Sequence, residues 1–160
     1  MPAGYIGLIK KTMQTNASPG VIFLRFLTGG VFFAEGVKKF LFPEQWGVGR
    51  FIHIGIPAPE VMAPFVGVVE VVCGMLLLWG LFTRLATIPL IITISVAIAT
   101  TKVPILLKSG FWAMEDHGRT DYSMLMGLLC LLMIGGGKWS VDALLLRSKL
   151  LTRPSSNRGD

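Results

Sequence analysis

Long apolar runs alternate with short polar breaks along this chain, and the length of the runs sets the architecture. Four of them, at about residues 21–41, 61–82, 85–107 and 120–137, approach the roughly 20 residues that an α-helix needs to cross about 30 Å of hydrocarbon. Ser18 and Pro19 stand before the first run as an N-cap and first-turn proline. Thr83-Arg84 joins the second run to the third by a minimal turn, Pro89 is expected to kink the third, and Gly135-Gly136-Gly137 stops the fourth, whose start Thr120 can cap. Beyond it, Trp139-Ser140-Val141-Asp142 opens a short interfacial helix through Leu151, and residues 154–160 read as a disordered tail. The pattern predicts an all-α integral membrane protein. Residues 1–18 form an N-terminal segment, residues 19–138 a four-helix bundle with long loops on one face, and residues 139–160 the interfacial helix and tail.

Composition sharpens this. Hydrophobic residues make up 52% of the chain and charged residues only 15%, against about a quarter charged in soluble domains. So few charges cannot solvate a water-soluble globule of this size, and two cysteines do not make a secreted disulfide scaffold. The net charge of +6 contains no run of more than two basic residues, which excludes a nucleic-acid patch and suits lipid headgroups. With four spans both termini share one side, where eight Lys and Arg face six on the other. That bias places both termini in the cytoplasm. Residues 1–20 lack an apolar stretch followed by a small-residue cleavage site, so the first span is expected to stay in the mature protein.

Two connections, residues 43–60 and 107–119, are long and lie on the face opposite the termini. Gln45–Ile56 carries Trp46, Phe51, Ile52, Ile54 and Ile56 together with Arg50 and His53, the composition of a lid on the membrane surface. Charges within the spans are costly, about 2.5–3.5 kcal/mol each at mid-helix, so each needs a partner or water. Glu70 stands midway along the second span on a face with Gly67, Cys73 and Gly74. Glu35 precedes Lys38 and Lys39 by three and four residues, the favourable order for helical ion pairs. At about 1.5 Å per residue, Glu35 lies roughly 9 Å and Glu70 roughly 13 Å below the loop-side boundary, while Lys38, Lys39, Lys102 and Asp121 lie close enough to reach it. Glu35, Lys38, Glu70, Lys102 and Asp121 therefore form a candidate ligand-binding or proton-handling pocket. His53, His117 and Arg119 in the connections are its candidate lid, whereas Arg25 sits near the opposite boundary. Cys73 and Cys130 are solitary and apolar-flanked, the two histidines lack ligand spacing, and no metal site is expected.

These residues resemble the DoxX family of small four-span bacterial membrane proteins, which includes the DoxD-like subunits. The resemblance covers about residues 21–145. It rests on Arg25, Gly29, Phe33, Gly36 and Lys38 in the first span, Gly55-Ile56-Pro57 and Pro59 before the second, and Gly67, Glu70, Gly74, Gly80-Leu81 and Thr83-Arg84 across the second, with Gly137-Lys138-Trp139-Ser140-Val141-Asp142 near the end. It implies a cytoplasmic-membrane protein tied to oxidoreductase or respiratory complexes, since DoxD-like members are associated with thiosulfate oxidation coupled to quinone and others with redox-stress assemblies. It transfers Arg25, Lys38, Glu70 and Arg84 as motif positions and no catalytic residue.

Two readings follow. In one, the chain is a redox-associated subunit that binds a quinone or similar apolar molecule beneath the lid. Glu70 and Glu35 handle a proton, and Lys38 or Lys102 stabilises an anionic head. In the other it is a non-catalytic scaffold, chaperone or small-solute carrier, whose buried charges fix packing or engage a membrane or peripheral protein partner or a second copy of the chain.

Overall fold

The computed structural model describes residues 19–151, and every regular element in that stretch is helical. In chain order these are α1 (Val21–Leu41), the short α2 (Val48–His53), α3 (Pro59–Trp79), α4 (Thr83–Ala97), a π-helical turn (Ile98–Lys102), α5 (Val103–Ile134) and α6 (Val141–Leu151). The terminal segments expected at residues 1–18 and 154–160, including the Ser18 cap, lie outside the described residues.

Polar and apolar groups are distributed as a lipid solvent requires. Phe23, Leu107 and Met133 are 79%, 80% and 77% exposed, while Arg25 and Glu70 are 2% and 4% exposed. In water that arrangement would expose the apolar surface and strand the charges; in hydrocarbon it is the favourable one. Helix α3 and the continuous helical stretch Thr83–Ile134 are long and apolar enough to cross a membrane. Between the helices, Leu77, Leu90, Leu128 and Leu131 form a fully buried core with Phe32, Ala86 and Met124 against it.

Helices α1 and α3 pack closely because glycines face each other along their contact. A Cβ on Gly36 would stand 2.8 Å from both the Gly67 carbonyl oxygen and the Val71 amide nitrogen. Small residues let backbones approach in this way where no hydrophobic driving force separates helix from lipid. These small-residue faces are thus occupied within the bundle.

The connection expected over residues 107–119 is not a loop. Helix α4 runs through Pro89 without a break, passes into the π-helical turn, and the chain stays helical to Ile134 except at Gly110, whose φ of 83° and ψ of 179° redirect it. Lys102 meets Asp121 at 3.0 Å and Arg84 donates to the Met133 carbonyl at 2.8 Å, so the two arms on either side of Gly110 run back along each other. Thr120, expected as an N-cap, lies inside the second arm. The apolar period of residues 85–107 and 120–137 marked the most apolar part of each arm, and the more polar residues between them lie in a helical tip. The other expected connection, residues 43–60, contains the short helix α2.

On the face of the termini, polar groups tie the C-terminal helix to the bundle. The four N–H groups at a helix start and four carbonyls at its end have no partner within the helix. Arg25 answers this for α3, donating to the Leu77 and Leu78 carbonyls at 2.9 and 2.6 Å and to those of Gly136 and Trp139 at 3.1 and 2.9 Å. Asp142 accepts from the amides of Phe82 and Thr83 at 2.8 and 3.0 Å, which caps α4 and holds Phe82 at its φ of 47°. Ser140 caps α6 by accepting from the Ala143 amide at 3.1 Å. Gly135 ends α5 with a φ of 85° that glycine adopts freely.

Candidate functional site

At the opposite end of the bundle the close α1–α3 contact carries the deepest charge. Glu70 projects from the middle of α3, and Lys39, in the last turn of α1, bridges to it with Nζ 2.5 Å from Oε2. Their side chains are 6% and 12% exposed. An ion pair this deep is retained only where each charge satisfies the other, because either alone costs far more to bury. Lys38, one residue earlier, is turned outward by the 100° helical step and pairs with Glu35 at 2.7 Å, with both side chains partly exposed. A third pair, Lys102 with Asp121, joins the π-helical turn to the returning arm.

Between these pairs lies a cavity of about 180 Å³. Its walls come from all the long helices: Phe32 and Glu35 from α1, Val66 and Glu70 from α3, Thr93 and Ala97 from α4, Thr100 and Thr101 from the π-helical turn, and Thr120, Asp121 and Met124 from α5. Trp46, Arg50, Phe51, Ile54 and Ile56 from the connection around α2 line it as well. Trp46 is fixed between two cations, Lys38 Nζ and Arg50 Cζ, each 5.3 Å from its ring centroid, an arrangement favoured by the negative face of the indole. Phe51 is buried beneath it. The π-helical turn adds one residue to the helical circuit there, which brings consecutive threonines onto the cavity side. π-Turns inside helices occur often at functional sites.

The expected pocket residues divide in two. Glu35, Glu70 and Asp121 line the cavity, whereas Lys38 and Lys102 stand behind it as partners of Glu35 and Asp121. Lys39 and Arg50 line it in their place. Lys39 was legible only as a residue able to reach the interface, because sequence spacing within α1 carries no information on which of two adjacent lysines faces α3. None of the residues expected as a lid is among those lining the cavity: His53 ends α2 with its side chain exposed, His117 bonds to the Ala113 carbonyl of its own helix at 2.8 Å, and Arg119 pairs with exposed Asp116 at 2.6 Å. The last two belong to a helix whose outer face was not separable from its inner one while residues 107–119 were read as a loop. The cavity threonines were missed because single hydroxyls in an apolar run read as tolerated packing residues. Of the motif positions, Arg25 and Arg84 both serve the last-turn carbonyls of helices, α3 and α5, at the far end from the cavity. Cys73 is buried and Cys130 exposed, and both are free thiols.

A family model described as DoxX matches residues 20–103, which spans α1 to the π-helical turn and includes Arg25, Lys38, Glu70 and Arg84. The chain belongs to the DoxX family. Among curated proteins it is similar to an uncharacterized membrane protein of Mycobacterium tuberculosis, 47% identical over 138 residues that cover 82% of this chain and 85% of that one. It is also similar to a Bacillus subtilis protein named "Putative oxidoreductase CatD", 30% identical over 137 residues covering 86% of this chain and 95% of that one. No solved structure matches the chain significantly. As a DoxX-family membrane protein, it has the lipid bilayer as its surroundings.

Proposed function

We propose that this DoxX-family chain is a redox-associated subunit that binds a quinone headgroup in the lid-side cavity. The observation that carries the reading is a buried lysine–carboxylate pair in the wall of a cavity of ring size. An apolar cavity of about 150 Å³ accommodates benzene, so the 180 Å³ here suits a single six-membered ring with its tail directed out between helices into lipid. The apolar wall, Phe32, Phe51, Ile94 and Met124, matches the ring, and the polar groups, Lys39, Glu70 and the threonine hydroxyls, match its oxygens. Resemblance to a relative named as an oxidoreductase agrees with this.

Reduction of a quinone takes two electrons and two protons, one proton for each carbonyl oxygen. In this reading the electrons come from a redox centre in a membrane or peripheral partner protein. The chain's own part is to orient the ring, donate a hydrogen bond from Lys39 Nζ to one oxygen, and pass a proton through Glu70. Helices α1 and α3 and the two arms, residues 83–109 and 111–134, cross the bacterial inner membrane, with both termini cytoplasmic and the lid on the outer side. Equilibrium binding of decylubiquinone to purified protein in neutral detergent tests the site. Glu70→Gln and Lys39→Met should each weaken binding by about tenfold or more; wild-type affinity in both variants removes the pair from the site.

A further inference from the structure

The carboxylates around the cavity are already spoken for. Glu35 is paired with Lys38, Glu70 with Lys39 and Asp121 with Lys102, at 2.7, 2.5 and 3.0 Å. These three pairs sum to no charge. Arg50 then remains as the one charged group lining the cavity that makes no ion pair among the described residues. Its guanidinium carbon lies over the Trp46 ring, 5.3 Å from the centroid, and its N–H donors have no protein acceptor among the described residues. Trp46 is in turn contacted by Lys38, itself anchored to Glu35.

From this charge balance we infer that, among the rings the cavity admits, one bearing a negative oxygen binds more tightly than a neutral one, the anion being recognised by Arg50. The inference rests on the reading of the cavity as a quinone-ring site and adds that the site also takes anionic aromatic rings. A planar guanidinium with free donors in a partly dehydrated, apolar-walled cavity binds an oxygen anion through charge-assisted hydrogen bonds and discriminates against a neutral group of the same shape. An uncompensated cation at a membrane boundary is costly to desolvate, and an anionic ligand removes that cost as it binds. Lys38 and Lys102 cannot fill this role without abandoning Glu35 and Asp121. Two chemical classes share the required feature, an aromatic carboxylate and a deprotonated ring hydroxyl.

The test compares aromatic ligands of similar size, one of each pair anionic and the other neutral. Binding of benzoate against benzamide, and of 4-nitrophenolate against nitrobenzene at a pH where the phenol is ionised, is measured on the full chain in neutral detergent, for the wild type, Arg50→Gln and Arg50→Lys. The anion should bind about tenfold or more tightly than its neutral counterpart in at least one pair. The pair with the larger ratio identifies carboxylate or ring oxygen as the preferred source of the charge. Arg50→Gln should abolish the preference, and Arg50→Lys should retain part of it. Equal binding within both pairs, or a preference that survives Arg50→Gln, overturns the inference. If decylubiquinone binds while the anions show no preference, the selectivity fails and the ring site stands; if none of the ligands binds, both fail together.

Discussion

Breaking the Lys39–Glu70 pair from one side strands the other charge in a site from which it cannot reach water. Lys39→Met or Glu70→Leu should therefore destabilise the chain by about 3–5 kcal/mol, whereas the double variant, which buries no charge, should recover most of the loss. Unfolding in mixed micelles checks this through the coupling between the two substitutions. A stable double variant that no longer binds quinone would show that the pair is kept for its site and not for the fold. Arg25 presents the opposite case. Its partners are backbone carbonyls at the end of α3 and in the turn that follows α5, so no second substitution can compensate. Arg25→Met should cost about 3 kcal/mol in the same assay with ligand affinity per folded molecule unchanged. Arg25→Lys should recover only part, because an ammonium lacks the planar fork that reaches carbonyls in two directions. From sequence alone both residues stand out as charges in apolar runs. What spacing could not convey is that one meets a carboxylate and the other meets helix ends, because the partners lie 31 and more than 50 residues away.

At the scale of helices, the apolar period located α1 to the residue, Val21–Leu41, and α3 to within two or three residues at each end. Those boundaries were legible because the apolar runs end close to them, while Pro59 at the start of α3 and Gly80 at its C-cap set the last two or three residues through local backbone preferences. The hairpin formed by α4 and α5 was legible only in part. Lys108, Ser109, Glu115, Asp116, His117 and Arg119 raise the polarity of the segment to that of a connection, although their backbone remains helical on both sides of Gly110. The single residue that turns the chain is a glycine for a steric reason: its φ of 83° with ψ of 179° is a region that side chains with a Cβ essentially avoid. Gly110→Ala should cost about 1–3 kcal/mol and broaden the unfolding transition of the hairpin. Gly30→Ala, where a Cβ meets nothing within 4 Å, serves as its control and should be neutral or slightly stabilising, since alanine favours a helix interior over glycine by about 0.5–1 kcal/mol.

Over the whole molecule, charge is sorted by end. Arg25, Arg84 and Asp142 at one end secure backbone groups, while Glu35, Lys39, Arg50, Glu70 and Asp121 at the other surround a cavity. The first end builds the bundle and the second is where a ligand can be held. If the termini are cytoplasmic, a membrane-impermeant thiol reagent added to intact cells should modify a cysteine placed at exposed Ile52 in the lid and spare one placed at exposed Lys138; the reverse pattern inverts the topology. The central claim is that the lid-side cavity binds a quinone ring, and photolabelling tests it most directly. An azidoquinone irradiated with the purified chain should attach to the lid around Trp46–Ile56 and to cavity-facing residues of α3 and the π-helical turn, and excess decylubiquinone should suppress that labelling. Labelling confined to lipid-facing positions such as Phe23 and Met133, or unaffected by competitor, would contradict it.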